Sequence, residues 1–324
     1  MSRPAIGLFL PTMARSGEPL PDVAAAARHA EALGYESVWA VDQLVAGTGV
    51  PLLESTVALA VAAGATRHLR LGFGVMVVPL RPPVWIAKQV ASLQVASAGR
   101  VLLGVGVGGD RHVASWVAAA VPARERGRRT DDALAVVPDL IAGRPVDLGA
   151  GPVALAPRAP VPPIVVGGMA DAALARAVAH DGWFAMPVPP EALTPTLDRL
   201  EQLAATAGRP RPPVTGSVTV ALDGDPELPP DDRIVELLVD PDGVYGMPAE
   251  AVPGMLVRGT GEALAERVDA LARLGAERVV LTLAAGRWSR QAELAATALG
   301  LTPSSPEPAI PEGASPWLTS SGIT

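Results

Sequence analysis

The sequence contains no cysteine. That excludes a disulfide framework, an iron–sulfur cluster and a thiolate nucleophile. Charge is also scarce, with only 18% of residues charged and a net charge of -7 at pH 7. Such a balance lacks the basic face that nucleic-acid phosphates require. No block of like charges exceeds a few residues, and no uninterrupted apolar run is long enough for a membrane span. The opening MSRPAIGLFLPT carries one arginine and a short apolar run broken by Pro11, too short for a signal peptide. The expectation is a soluble, cytoplasmic protein. Neither H-E-x-x-H nor a carboxylate–histidine metal cluster appears, so no metal is expected, and G-x-S-x-G is missing as well.

What is present is a large apolar content, 49% of the chain, arranged periodically. Short β-rich runs at 6–10, 37–41, 69–77, 101–107, 163–167, 183–188, 214–222 and 278–283 alternate with helical patterns. The helices are expected at 21–34, 54–67, 84–98, 130–142, 170–180, 190–207, 261–274 and 289–299. Strict alternation implies parallel strands with helical crossovers. This number of units predicts a (β/α)8 TIM barrel; an open doubly wound sheet, the alternative, ordinarily stops at fewer strands. Thr130 with Asp131 and Asp132 reads as an N-cap, and Gly34, Gly208 and Gly275 as left-handed C-caps. The connection 223–260 after the seventh strand reads as a long insertion. Residues 1–301 form the single barrel domain, and 302–324 a flexible Pro/Ser-rich tail.

The segment GVGVGGDRH at 104–112 poses a choice, because Gly104, Gly106 and Gly109 satisfy G-x-G-x-x-G. A Rossmann turn follows the first strand of its unit and is answered by an acid at the end of the next strand. Here the glycines follow the fourth strand and lead to Arg128 and Arg129. The other use of such glycines is to let a flat ring system approach the backbone closely.

Barrel active sites lie at the C-terminal strand ends, and that rule sorts the polar residues. Asp42 ends the second strand in SVWAVDQL and belongs in the mouth. His29 falls within the first helix, whereas His68 and His180 lie at the opposite face. His112 sits in a loop after a strand end, either as an exposed loop residue or as a contact to cofactor or substrate. Asp110 and Arg111 read as a solvated pair, and RERGRR at 124–129 as a solvated helix approach with salt-bridge partners. Gly167-Gly168 stands directly before the helix ADAALARA. The pair is either a tight turn or a set of backbone donors for a phosphate. Trp85, Trp116 and Trp288 fall near mouth loops; Trp39 and Trp183 read as packing residues. A glycine-lined mouth with so few acids and bases suits a cofactor that carries the chemistry itself.

The segments GYESVWAVDQL, TRHLRLGFGVMVVPLRPPVWIAKQVASLQVASAGRVLLGVGVGG, ERGRRTDDAL and PPIVVGGMADAALARAVAHDGW resemble the bacterial luciferase-like superfamily. The resemblance runs from about residue 5 to residue 300, closing with GTGEALAERVDALARLGAERVVL. It implies a flavin- or deazaflavin-dependent oxidoreductase on a luciferase-like barrel, with the insertion after strand 7. Asp42 then corresponds to an acid beside the cofactor ring. Gly74-Val75 falls where members carry a non-prolyl cis peptide against the ring. Gly106 and Gly108 line the ring or its chain, His112 contacts the cofactor, and Gly167 and Gly168 bind its phosphate. Relatives with Asp-His at the end of strand 2 use the histidine in proton or hydride chemistry; here the pair is Asp42-Gln43. A glutamine cannot act as a general acid at neutral pH, so the role is either missing or moved to His112, Asp110 or a residue of the long insertion such as Tyr245. The implied function is a coenzyme F420H2-dependent reductase acting on an alkene or imine of a small organic substrate. The alternatives are a reduced-FMN two-component monooxygenase and a non-catalytic flavin-binding relative. The partners that the resemblance allows are a flavin or F420 reductase and a second copy of the chain in a homodimer.

Overall fold

The computed structural model describes residues 3–14, 19–47, 49–109, 113–240, 243 and 245–303. Eight parallel strands form the barrel wall: β1 (Ala5–Phe9), β2 (Ser37–Ala40), β3 (Arg70–Phe73), β4 (Val101–Gly106), β5 (Ile164–Gly167), β6 (Gly182–Phe184), β7 (Val214–Leu222) and β8 (Ala276–Leu283). Each pairs with its sequence neighbour; β8 returns to β1 with Ala5 opposite Arg278, which closes the ring. The outer helices are α1 (Val23–Ala32), α2 (Ser55–Ala65), α3 (Pro83–Ala96), α4 (Arg126–Ile141), α5 (Asp171–Ala179), α6 (Pro190–Thr206), α7 (Gly261–Arg273) and α8 (Trp288–Ala298). This is the expected (β/α)8 barrel.

Parallel strands covered by helices bury both faces, and here the two faces carry different residues. One set, including Leu8, Val38, Leu71, Leu103, Val166, Val218 and Leu281, packs under the helices. The alternate set faces the interior, where Trp39, Leu102, Val165, Phe184 and Val280 form a separate cluster. Trp39 is fully buried, and a Cβ added at Gly7 or Gly72 would collide with its indole. Glycine on the neighbouring strands is what makes room for the ring.

Helix ends follow local chemistry. Asp22, Glu54 and Thr260 accept the backbone N–H of Ala25, Val57 and Ala263 and cap α1, α2 and α7. Gly34, Gly208 and Gly275 adopt φ of +86°, +65° and +87° and terminate α1, α6 and α7, as expected. The expected N-cap at Thr130 is not found. The fourth helix begins at Arg126, after a 3-10 turn at Ala123–Glu125. Glu125 pairs with Arg128 and Arg129, and Thr130 is an interior residue whose hydroxyl donates to the Arg126 carbonyl. The RERGRR run is thus part of the helix start, with its salt-bridge partners in place.

Two strands are shorter than expected. The run 69–77 breaks after Phe73 and resumes as Met76–Val77, and the sixth strand ends at Phe184. Because β6 is short, it meets β7 only at Val214 and Thr215. The upper half of β7 is covered instead by the insertion, whose strand Leu256–Gly259 lies parallel to Thr219–Leu222. The insertion's helix Asp231–Val239 packs Ile234 and Leu238 with Ala221, Val252 and Ala285.

Candidate active site

Asp42 follows β2 at the mouth and is only 7% exposed. Its carboxylate is saturated. Oδ1 accepts from the Ser55 hydroxyl at 3.0 Å and Arg81 Nη2 at 2.7 Å; Oδ2 accepts from the Val77 N–H and Arg81 Nη1, both at 2.7 Å. Arg81 also reaches Glu54 at 3.1 Å. Burial alone would lower the Arg81 guanidinium, but hydrogen bonds and charge from Asp42, with Glu54, hold it above its ordinary value. Four donors fill the acceptor sites of this carboxylate. Asp42 anchors the loop after β3 to the start of α2.

That anchored loop contains the Gly74–Val75 peptide, which is cis, as expected. Val75 lies in the interior, over the wall made by β4 and β5. A Cβ at Gly106 would stand 2.5 Å from Val75 Cγ2, and one at Gly167 3.1 Å from Cγ1. On its other side, a Cβ at Gly74 would stand 2.5 Å from the Phe9 ring. The glycines of GVGVGG therefore seat Val75, and Val75 presents the surface. Gly108, at φ of +71°, lies against Val77 and Trp116. Trp116 belongs to the short helix Val113–Ala118, whose Ser115 hydroxyl accepts the Val45 N–H at 3.0 Å. The loops after β2 and β4 are thereby joined.

Gly167 and Gly168 end β5 as expected. Gly168 has φ of +121°, and its carbonyl accepts the Trp183 indole N–H at 2.8 Å. The helix that follows, α5, has no side-chain cap. Its Asp171 is drawn to Arg199, and those hydrogen bonds hold the carboxyl below its ordinary value. Among the other helix starts, those of α2 and α8 are filled by carboxylates. Glu54 caps α2; α3 and α6 open on prolines. At α8 the Arg287 N–H donates to the buried Asp225 at 2.7 Å, which Gln291 also contacts at 3.2 Å. Barrels often bind phosphate at that last position. Here an internal carboxylate fills it, whereas α5 is uncapped and follows its barrel strand almost at once.

The remaining expected residues divide. Gln43 is half-buried beside Asp42. His112 and Asp110 lie outside the described residues. Tyr245 packs into the insertion's apolar cluster, and burial pushes its phenol above the usual range. Trp288 donates to the Phe9 carbonyl at 3.0 Å, whereas Trp85 is 63% exposed. Sequence reasoning missed Arg81, although the strand-end rule that selected Asp42 applies equally to PLRPP. It also missed the hydroxyls facing inward from β7 and β8. An open groove of about 420 Å³ on the outer wall is lined by Glu191, Leu256, Arg258, Glu266 and Arg267. It shares no residue with the mouth.

A family model described as luciferase-like monooxygenase matches residues 5–228. An uncharacterized protein of Mycobacterium tuberculosis is 35% identical over 171 residues, 51% of this chain and 58% of that relative. The chain thus spans little more than half the length of that curated relative. Among solved structures, the coenzyme F420-dependent tetrahydromethanopterin reductase of Methanopyrus kandleri superposes with a TM-score of 0.73, at 18% identity, over 92% of this chain and 99% of that one. The oxygenating constituent of 3,6-diketocamphane monooxygenase of Pseudomonas putida, solved with FMN, gives 0.68 at 16% identity, over 92% and 96%. At such identities the structures share the fold, while the sequence match covers well over half of the chain. This protein belongs to the luciferase-like monooxygenase family.

Proposed function

We propose that this protein is an oxidoreductase that uses reduced coenzyme F420 to deliver hydride to an alkene or imine of a small organic substrate. The observation that carries the reading is the composition of the mouth. A wall of Val75 over Gly104, Gly106 and Gly167 offers a flat apolar surface, and the uncapped α5 lies at its edge. A planar ring with a phosphate-bearing chain fits such a site. Val75, Gly106 and Gly108 would hold the ring and chain, and Gly167, Gly168 and the first N–H groups of α5 the phosphate. Bound there, the reduced deazaflavin supplies the hydride.

The chain's own residues then bind, orient and shield. Asp42 and Arg81 hold the loop that carries Val75, so Asp42 acts as a positioning residue. Gln43 cannot donate a proton at neutral pH, and we assign that role to His112, since imidazole is a side chain able to give up a proton in the neutral range. A reductase that regenerates the cofactor is part of this reading.

A second reading, a reduced-FMN monooxygenase, draws support from the family description and from the FMN-bound neighbour. FMN also carries a phosphate on its side chain. The compact barrel, whose insertion folds back onto β7, favours the deazaflavin. Titration of the purified protein with coenzyme F420 and with FMN separates the two. A protein that binds either cofactor but neither reduces nor oxygenates any substrate offered would be the non-catalytic relative.

A further inference from the structure

The two halves of the barrel interior differ in chemistry. On the β3–β5 side the upper inward positions are glycines under Val75. In a closed ring of eight strands each strand faces the one four places on, so β7 faces β3 and β8 faces β4. On β7 the outward residues Val218 and Val220 pack under the helices. The alternate residues Ser217 and Thr219 therefore point inward, and Thr219 lies in register with Thr282 of β8.

Thr219 is 1% exposed, and its Oγ1 has no hydrogen-bond partner among the described residues. Thr282 beside it is half-buried. A buried hydroxyl without a partner is uncommon in folded proteins and calls for an explanation. Water or a ligand atom supplies the usual one.

We infer that Thr219, with Thr282, binds a carbonyl oxygen of the substrate. The inference rests on the reading that a cofactor ring lies against Val75. A ring on that wall turns its other face toward β7 and β8, and the substrate occupies the space between. A carbonyl oxygen accepts two hydrogen bonds, one from each hydroxyl. Hydride adds to the β-carbon of a conjugated alkene, and the C=C electron pair shifts to give an enolate oxygen. Protonation of the α-carbon completes the saturated carbonyl, while the cofactor is left oxidised. Donors placed at that oxygen strengthen as its charge develops. The substrate class is then a carbonyl-conjugated alkene, and an isolated alkene offers these hydroxyls nothing.

The test uses the cofactor-loaded protein with 2-cyclohexen-1-one as the probe and cyclohexene as the same ring without oxygen. Binding is read from the cofactor's absorbance or fluorescence. Cyclohexenone should bind the wild type measurably more tightly than cyclohexene. Thr219→Val should weaken cyclohexenone about five- to tenfold, the effect of one hydrogen bond. Thr219→Ser should restore most of that affinity, and Thr282→Val should act in the same direction. Cofactor affinity should be unchanged in all three variants. A wild type that binds neither cofactor removes the underlying reading and this inference with it. Cofactor binding with no preference for cyclohexenone, or with an unaffected Thr219→Val, overturns the inference alone. So does a Thr219→Val variant that weakens the cofactor itself, because the hydroxyl would then serve the ring.

Discussion

Asp42 shows how a residue can be legible in place and illegible in role. An acid directly after an apolar strand belongs at a barrel mouth, and there it is found. Its partner Arg81 lies 39 positions along the chain, and only the fold brings them together. With the Asp42 side chain 2% exposed, the pair is effectively buried on its acidic side. Removing Asp42 leaves the buried Val77 N–H without its acceptor and Arg81 with Glu54 alone, at a cost of about 1–3 kcal/mol. Asp42→Ala should therefore lower unfolding free energy by about that amount in urea titration. Asp42→Asn keeps a carbonyl acceptor for the Val77 N–H, and should cost less. An unchanged midpoint for Asp42→Ala would show that the pair contributes nothing.

His112 tests the chemistry at the same scale. Transfer of hydride leaves an anion that must gain a proton, and a positioned acid contributes about 10²–10⁴-fold. His112→Ala should lower turnover at least about tenfold, with a smaller effect on cofactor affinity. If affinity falls while turnover at saturating cofactor survives, His112 is a cofactor contact. Unchanged values for both would remove it from the site.

Among elements, the turn from β5 into α5 carries the functional weight. The glycine pair was visible in the sequence, but what singles it out was not. That required seeing Asp225 at the start of α8 and Glu54 at α2. The start of α4 was misplaced for a local reason: Thr130 resembles a cap in sequence, yet Glu125 and its arginines begin the helix a turn earlier. At Gly168, φ of +121° disfavours any side chain, and a Cβ would lie 3.0 Å from Ala173. Gly168→Ala and Gly168→Asp should share that backbone strain, about 1–3 kcal/mol of stability. The carboxylate alone should abolish cofactor binding, since it competes with the phosphate for the same donors. If Gly168→Asp binds cofactor as well as Gly168→Ala does, the anion lies elsewhere and the pair is only a turn.

For the whole molecule, the barrel was legible because the eight wall strands and eight outer helices follow one another in turn, each buried on the side the pattern requires. The break after Phe73 was not legible, nor was the insertion's strand beside β7, since neither depends on local periodicity. Acid stability is likewise a property of the whole. Burial would raise Asp225, but the N–H groups of Glu227 and Arg287 and the Gln291 amide hold it below its ordinary value. Burial would also raise Glu36, and Arg278 holds it down. His180 is pushed down by burial. All three bind fewer protons folded than unfolded, so each contributes stability that is present above its unfolded pKa and lost as pH falls. The melting temperature should begin to decline below about pH 6.5, as His180 must charge, and fall more steeply below about pH 4. Asp225→Asn should flatten the lower limb. A melting temperature that rises on acidification would contradict these assignments.

The central claim is that the mouth of this barrel holds a deazaflavin, and its most direct test is equilibrium titration of the purified protein with coenzyme F420 and with FMN, followed by fluorescence. The account predicts saturable binding of coenzyme F420 at least about tenfold tighter than FMN, a difference of about 1.4 kcal/mol. Equal affinities, or a preference for FMN, would contradict it.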